Sequence, residues 1–202
     1  MTLVTLIPTM ARTAHTPYEL EQAFARHDTS APGHKDRVAA YAGRLAARAG
    51  LSGLRAMQIA QATRGHDVGK LTVPRAILNK PARPTEGEAA MLRAHAANGA
   101  EMLTAAGASR LEIEIARHHH ERWDGGGYPD GLAGTAIPLE SRIVAVADVF
   151  DALTADRPYK AGLSVAKTLE IMTGDMVDAF DPNLLETFIA SLPAAPDRPV
   201  AA

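Results

Sequence analysis

Apolar residues recur at helical spacing along most of this chain, and no stretch alternates in the two-residue rhythm of a strand. In HKDRVAAYAGRLAARAGL, positions Val38, Tyr41, Ala42, Leu45 and Ala46 mark one face of a helix that Gly50 closes. Upstream, TPYE at Thr16–Glu19 reads as a capping box with Pro17 at the first helical position, which predicts a helix to about Arg26. APG then breaks the chain. LSGLRAMQIAQATRGHD predicts a third helix from about Leu54 to His66, and the Pro- and Gly-rich VGKLTVPRAILNKPARP a partly helical connection. One helix capped by Thr85 is predicted through TEGEAAMLRAHAANGAEMLTAAG. Another is predicted through SRLEIEIARHHHERW, up to the glycines. DGGGYPDGLAGTAIP reads as a fifteen-residue loop, and ordered loops of that length tend to be functional. The apolar LESRIVAVADVFDALTAD, then SVAKTLEIMTGD and DPNLLETFIASL, complete the helices. The expected fold class is all-α: a helical bundle in one domain over residues 16–192, with a loose leader at 1–15 and a disordered Pro-rich tail at 193–202.

Composition narrows the chemistry. The chain has 202 residues, enough for one substantial core, and a formal net charge of −2, which gives no broad attraction to nucleic acid polymers or anionic membranes. It has no cysteine, so disulfides, thiolate zinc sites and thiol nucleophiles are excluded. MTLVTLIPTM carries a short apolar run without a basic leader. No apolar stretch reaches spanning length, so a cytoplasmic location is expected.

The polar residues that this pattern leaves inside the helices need a reason. Asp148 sits among Ile143, Val144, Val146, Val149 and Phe150, where a lone carboxylate is costly without a cation, a metal or strong hydrogen bonds. His66 and Asp67 end an apolar helix, and His95 lies within another; taken alone, each also fits helix capping or ordinary packing. With His34, His119 and His120 they make five imidazoles and two carboxylates spread over different predicted helices, which is how bundles build metal sites. Mixed imidazole and carboxylate ligands suit iron, manganese, nickel or zinc. Seven ligands exceed one ion but serve two if a carboxylate bridges them, and two ions about 3.5–4 Å apart are the usual clamp for phosphoester hydrolysis.

HDVGK resembles the HDxGK signature of HD-domain phosphohydrolases. HHERWDGGGYPDGLAGTAIPLESRIVAVADVFDALTADRPYK resembles the HD-GYP subfamily throughout: HHExxDGxGYP, GLxGxxIP, RIxxxxDxxDAL and RPY in order. The likeness extends upstream through GHKDRVAAYAGRLAARAGL, LTVPRAILNKP and RAHAANGAEML, and covers roughly residues 20–192. It implies a bacterial phosphodiesterase that hydrolyses the second messenger cyclic di-GMP to pGpG, and further to GMP in some members. It implies that Asp67 bridges two divalent ions, iron or manganese foremost, with His34, His66 and Asp148 on one side and His95, His119 and His120 on the other. A hydroxide held between the ions would attack phosphorus. Lys70 would stabilise the developing charge, and Lys70, Arg157 and Lys160 would hold substrate phosphates. Gly127, Tyr128 and Pro129 would line the site as the GYP loop. Glu121 and Asp124 are expected to orient the ligand imidazoles by hydrogen bonds from behind, or else to lie exposed. His118 is expected to be a bystander and Trp123 a packing anchor.

Some members of that family hold a third ion through a Glu four residues before the first ligand His. Ser30 stands there, and a hydroxyl is a poor substitute, although Asp28 lies nearby; two ions and accumulation of pGpG are therefore expected. Partners implied by the resemblance are a diguanylate cyclase or a separate sensor or receiver protein. Two other readings stay open: an HD-type hydrolase of another nucleotide, and a non-catalytic module that binds the dinucleotide or a partner.

Overall fold

The structure is a computed structural model that describes residues 15–29, 31–156 and 161–192. Ser30, Arg157 and Lys160 lie outside the described residues, as do nearly all of the expected leader and the whole expected tail. Among the described residues the chain is helical and has no strand.

The centre of the bundle is α2 (His34–Arg48), packed between α3 (Gly53–Thr63) and α8 (Leu139–Thr154). The face of α2 predicted from periodicity is the one that is buried: Val38, Ala42, Leu45 and Ala46 meet Ile59 of α3 and Val146 and Phe150 of α8 in one core. Gly43 and Ala60 let α2 and α3 approach closely, since a Cβ added at Gly43 would stand 3.0 Å from the Ala60 Cβ. Helix α10 (Pro182–Ser191), capped by Asp181, closes this core with Phe188, whose ring meets Tyr41 and Phe150 edge-on at 6.0 and 5.0 Å. Burying such a ring is worth roughly 1.5–3 kcal/mol, so the aromatic trio anchors α10 against α2 and α8.

A second, smaller hydrophobic cluster lies apart from this core. Helix α1 (Pro17–His27) opens on the predicted capping box at Thr16 and Glu19 and lays Leu20 and Phe24 on Val68, Leu103 and Ala116. Val68 begins a 3₁₀ turn, Val68–Thr72, followed by the short α4 (Arg75–Leu78); His27 Nε2 meets the Val73 carbonyl at 2.9 Å. Helix α9 (Val165–Thr173) and a 3₁₀ turn, Val177–Ala179, lead into α10.

Three helix ends differ from the sequence expectation, and all three lie beside the histidines. Helix α3 stops at Thr63, so His66 and Asp67 sit on a tight turn. The helix expected from Thr85 through the GAEML segment is two, α5 (Glu86–Arg93) and α6 (His95–Ala105), broken at Ala94, where the Leu92 carbonyl accepts from His95 Nδ1. Helix α7 (Arg110–His118) ends before His119, because the Tyr128 N–H takes the His120 carbonyl and folds the chain back. The segment from there to α8 contains a 3₁₀ turn at Gly134–Ala136.

Candidate metal centre

The turn after α3 presses directly on α6. A Cβ at Gly69 would fall 1.9 Å from the His95 carbonyl oxygen and 2.5 Å from the Gly99 nitrogen, so only glycine permits this crossing. The crossing sets Asp67 against His95: Asp67 Oδ1 lies 3.3 Å from His95 Nε2 and 3.8 Å from His119 Nε2. The other oxygen, Oδ2, lies 3.6 Å from His66 Nε2 and 3.8 Å from His34 Nε2. Asp148, on α8, brings Oδ1 to 3.2 Å from His34 Nε2 and 3.8 Å from His66 Nε2. His120 stacks on His119 with ring centroids 4.1 Å apart and faces His95 at 5.0 Å. The fold thus gathers His34, His66, Asp67, His95, His119, His120 and Asp148 at one point. Within this gathering, two sets each bring their ligand atoms close enough to hold an ion: Asp67 with His95, His119 and His120, and Asp67 with His34 and His66.

The orientation of the rings decides what they can bind. His66 Nδ1 donates to the Thr63 carbonyl (2.7 Å), His95 Nδ1 to the Leu92 carbonyl (2.5 Å) and His119 Nδ1 to the Ala116 carbonyl (2.9 Å). A carbonyl only accepts, so each Nδ1 carries a proton and each ring turns its Nε2 inward, the atom that bears a free lone pair when the ring is neutral. His95 and His119 even face each other Nε2 to Nε2 at 3.3 Å. His66 Nε2 and Asp67 Oδ1 are buried with no hydrogen-bond partner. Lone pairs converging on carboxylate oxygens in a dry interior are unfavourable unless a cation sits among them. The donor set, all imidazole nitrogen and carboxylate oxygen, fits divalent transition metals.

The charges follow the same plan. Burial pushes His66 down; burial and the neighbouring His120 push His119 well below the usual imidazole range; burial takes His120 to about 4. Burial also opposes charge on His34, but its hydrogen bonds to Asp148 and Asp151 prevail and raise it to about 9. Asp67 is held well below the usual carboxylate range: burial works against its charge, and Lys70 and His66 outweigh it. Lys70 Nζ lies 2.5 Å from Asp67 Oδ2, and burial notwithstanding, Asp67 raises its pKa.

Over the histidines lies the GYP segment. Tyr128 stacks on His120 (centroids 4.9 Å, planes 30° apart), and burial raises its phenol above the ordinary value. Gly127 lies on the main chain of residues 120–122: a Cβ there would meet the Arg122 nitrogen at 2.4 Å. Pro129 follows through a cis peptide bond. His118 is held outside the cluster, against Asp130 at 3.1 Å, where Arg117 also binds that carboxylate through two 2.7 Å hydrogen bonds. Trp123 is an anchor, with its backbone N–H on the Ala179 carbonyl and the Arg142 guanidinium 5.5 Å from its ring centre.

Of the two roles expected for Glu121 and Asp124, orienting imidazoles is corrected for both, and Asp124 takes the exposed alternative. Glu121 and Asp124 do not hold imidazoles. The buried Glu121 carboxylate accepts from the Asp130 and Leu132 N–H groups at 2.7 and 3.0 Å and so ties the loop onto itself. Asp124, exposed, pairs with Arg122 and receives the Gly126 N–H. The side chain that does reach an imidazole from behind is Asp151, 2.7 Å from His34 Nδ1 and gripped by Arg37. Its signal in the sequence is a second aspartate one helical turn after Asp148 in ADVFDAL.

The HD domain family profile matches residues 19–184, and the chain belongs to that family. It is 38% identical over 180 residues to the cyclic di-GMP phosphodiesterase response regulator RpfG of Xanthomonas campestris pv. campestris, covering 88% of this chain and 48% of that protein. It is also 38% identical over 166 residues to the 3'3'-cGAMP-specific phosphodiesterase 3 of Vibrio cholerae, covering 82% and 36%. The chain therefore spans half or less of the length of these relatives. A solved Vibrio cholerae cyclic GMP-AMP-specific phosphodiesterase superposes with a TM-score of 0.57 at 31% identity, over 90% of this chain and 41% of that one. Bd1817 of Bdellovibrio bacteriovorus, at 21% identity, shares the fold with a TM-score of 0.64, over 77% of this chain and 50% of that one. Among the described residues, no helix is long and apolar enough to cross a membrane.

Proposed function

We propose that this chain is a metal-dependent phosphodiesterase of cyclic dinucleotides, with two divalent ions, iron or manganese, shared across Asp67. The observation that carries this reading is the inward convergence of imidazole Nε2 atoms on Asp67 and Asp148, with His66 Nε2 and Asp67 Oδ1 left unpartnered in the interior. His34, His66 and Asp148 would hold one ion and His95, His119 and His120 the other. Bound there, divalent ions supply Lewis acidity toward a phosphoryl group and acidify water near neutral pH.

The chain's own residues do the rest. Asp67 fixes the Lys70 ammonium at the edge of the ligand set, where a phosphoryl oxygen can draw it off one carboxylate oxygen. Arg157, with its planar fork, and Lys160, a point charge, would hold the second phosphate. Gly127, Tyr128 and Pro129 wall the site beside His120, and the Tyr128 ring offers a surface for a nucleobase. No serine, threonine or cysteine nucleophile is required.

Cyclic di-GMP is the leading substrate, and relatives named as cGAMP-specific favour 3'3'-cGAMP as the second reading. A two-ion site fits release of pGpG as the main product. The test is metal analysis of anaerobically purified protein, then product analysis with cyclic di-GMP, 3'3'-cGAMP and cyclic di-AMP. Dinucleotide cleavage that is lost on chelation and restored by Fe²⁺ or Mn²⁺ is expected. Binding without turnover in metal-replete protein would replace this reading with a receptor.

A further inference from the structure

Among the four clustered imidazoles whose Nδ1 makes a hydrogen bond, His34, His66, His95 and His119, only His34 lacks a main-chain acceptor for it. It is the first residue of α2, entered through Gly33 at φ 72°, so no helical turn precedes it to offer a carbonyl. Its Nδ1 is met instead by the Asp151 Oδ2 oxygen at 2.7 Å. Asp151 is 1% exposed and stands one turn beyond Asp148 on α8. Arg37, one turn beyond His34 on α2, grips both Asp151 oxygens, Nε to Oδ1 at 2.6 Å and Nη2 to Oδ2 at 3.0 Å. Its Nη1 donates to the Pro32 carbonyl at 2.7 Å and so fastens the segment of chain that leads into His34.

We propose that Asp151, locked by Arg37, is the positioning residue for His34: it fixes which ring nitrogen faces inward and makes one half of the metal centre dependent on a side chain, while the main chain aims His66, His95 and His119. The inference rests on the metal-dependent reading above. An amide at 151 shows why the carboxylate matters. With its oxygen toward Arg37, an Asn would present NH₂ to His34 Nδ1, which would then have to accept. The proton would move to Nε2, the atom that faces Asp148 and Asp67, and remove its lone pair from the ligand set.

The experiment is titration of the full chain with Mn²⁺, and in parallel Zn²⁺, counting sites and affinities from free metal, by electron paramagnetic resonance for Mn²⁺. Asp151→Asn should weaken one site by about 10- to 100-fold and leave the other unchanged. Arg37→Gln, at a side chain 39% exposed, should fold normally and weaken the same site by a smaller factor. Circular dichroism melts of the metal-free variants separate lost fold from lost metal. Equal weakening of both sites, or wild-type affinity at both in the two variants, would overturn the proposal. If the unsubstituted chain takes up neither metal, the metal-dependent reading falls first and this one with it.

Discussion

On one side of Asp67, His34 and His66 face the Asp148 carboxylate, with Asp151 behind His34. On the other, His95, His119 and His120 crowd together, and among the described residues Asp67 Oδ1 is the only carboxylate oxygen within ion-pairing distance of them. The two halves have equal numbers of candidate ligands but very different charge. Without a bound cation, the acidic half is balanced by a proton on His34, raised to about 9, whereas burial keeps His119 and His120 uncharged. A cation entering the acidic half would displace a proton, whereas one entering the other half would meet uncharged His119 and His120. Ligand number alone would have hidden that difference.

The largest effect should come from removing what the halves share. Asp67→Ala should take hydrolysis to background and lower metal content in both halves, measured by mass spectrometry of the purified protein, while helical circular dichroism persists. A variant with wild-type turnover would refute the shared-carboxylate arrangement. Next come single-half losses. Asp148→Ala and His119→Ala should each leave about one ion per chain and cost about 100-fold or more in kcat/KM. Equal loss of both ions from either variant would mean that the halves are not separable. Lys70→Ala should lower kcat/KM by about 10- to 100-fold at unchanged metal stoichiometry, since its ammonium touches Asp67 without being a ligand. Metal loss in that variant would show that Lys70 maintains the site itself. The smallest effects should lie in the loop. Glu121→Ala strands two N–H groups and should cost about 1–3 kcal/mol, read as a melting-temperature drop of roughly 2–4 °C per kcal/mol. Asp124→Ala, at an exposed position, should leave the melting temperature near wild type. Equal shifts would mean that Glu121 does not tie the loop.

In both halves the sequence reveals the clustered residues better than the helix ends and the residues around them. Taken singly, His66, Asp67 and His95 also fit capping or packing; it is as a set with His34, His119, His120 and Asp148, and through the family resemblance that separates His119 and His120 from His118, that the sequence marks them, and the fold brings all seven together. Periodicity likewise locates the α2 face that packs the core, and the Thr-x-x-Glu pattern locates the caps of α1 and α5. Helix ends near the site are less legible, because they are set by partners distant in sequence. Ala94 breaks its helix where Gly69 crosses α6, and α7 stops where Tyr128 takes the His120 carbonyl. No local rule tells which of two aspartates one turn apart, Asp148 or Asp151, faces the imidazole lone pairs and which stands behind. Glu121 misleads for a similar reason: its neighbours in sequence are histidines, but its hydrogen bonds go to Asp130 and Leu132, folded back upon it.

His66, His95 and His119 each bond the carbonyl three residues earlier. An acceptor of that kind is present whatever side chain occupies positions 63, 92 and 116. Substitution at those positions can change packing but cannot delete the acceptor, so the aim of these three rings is inherited with the path of the chain. Such a site tolerates sequence drift around it, and a designer could transplant it as a backbone fragment with three histidines, adding a side-chain brace only where His34 begins its helix.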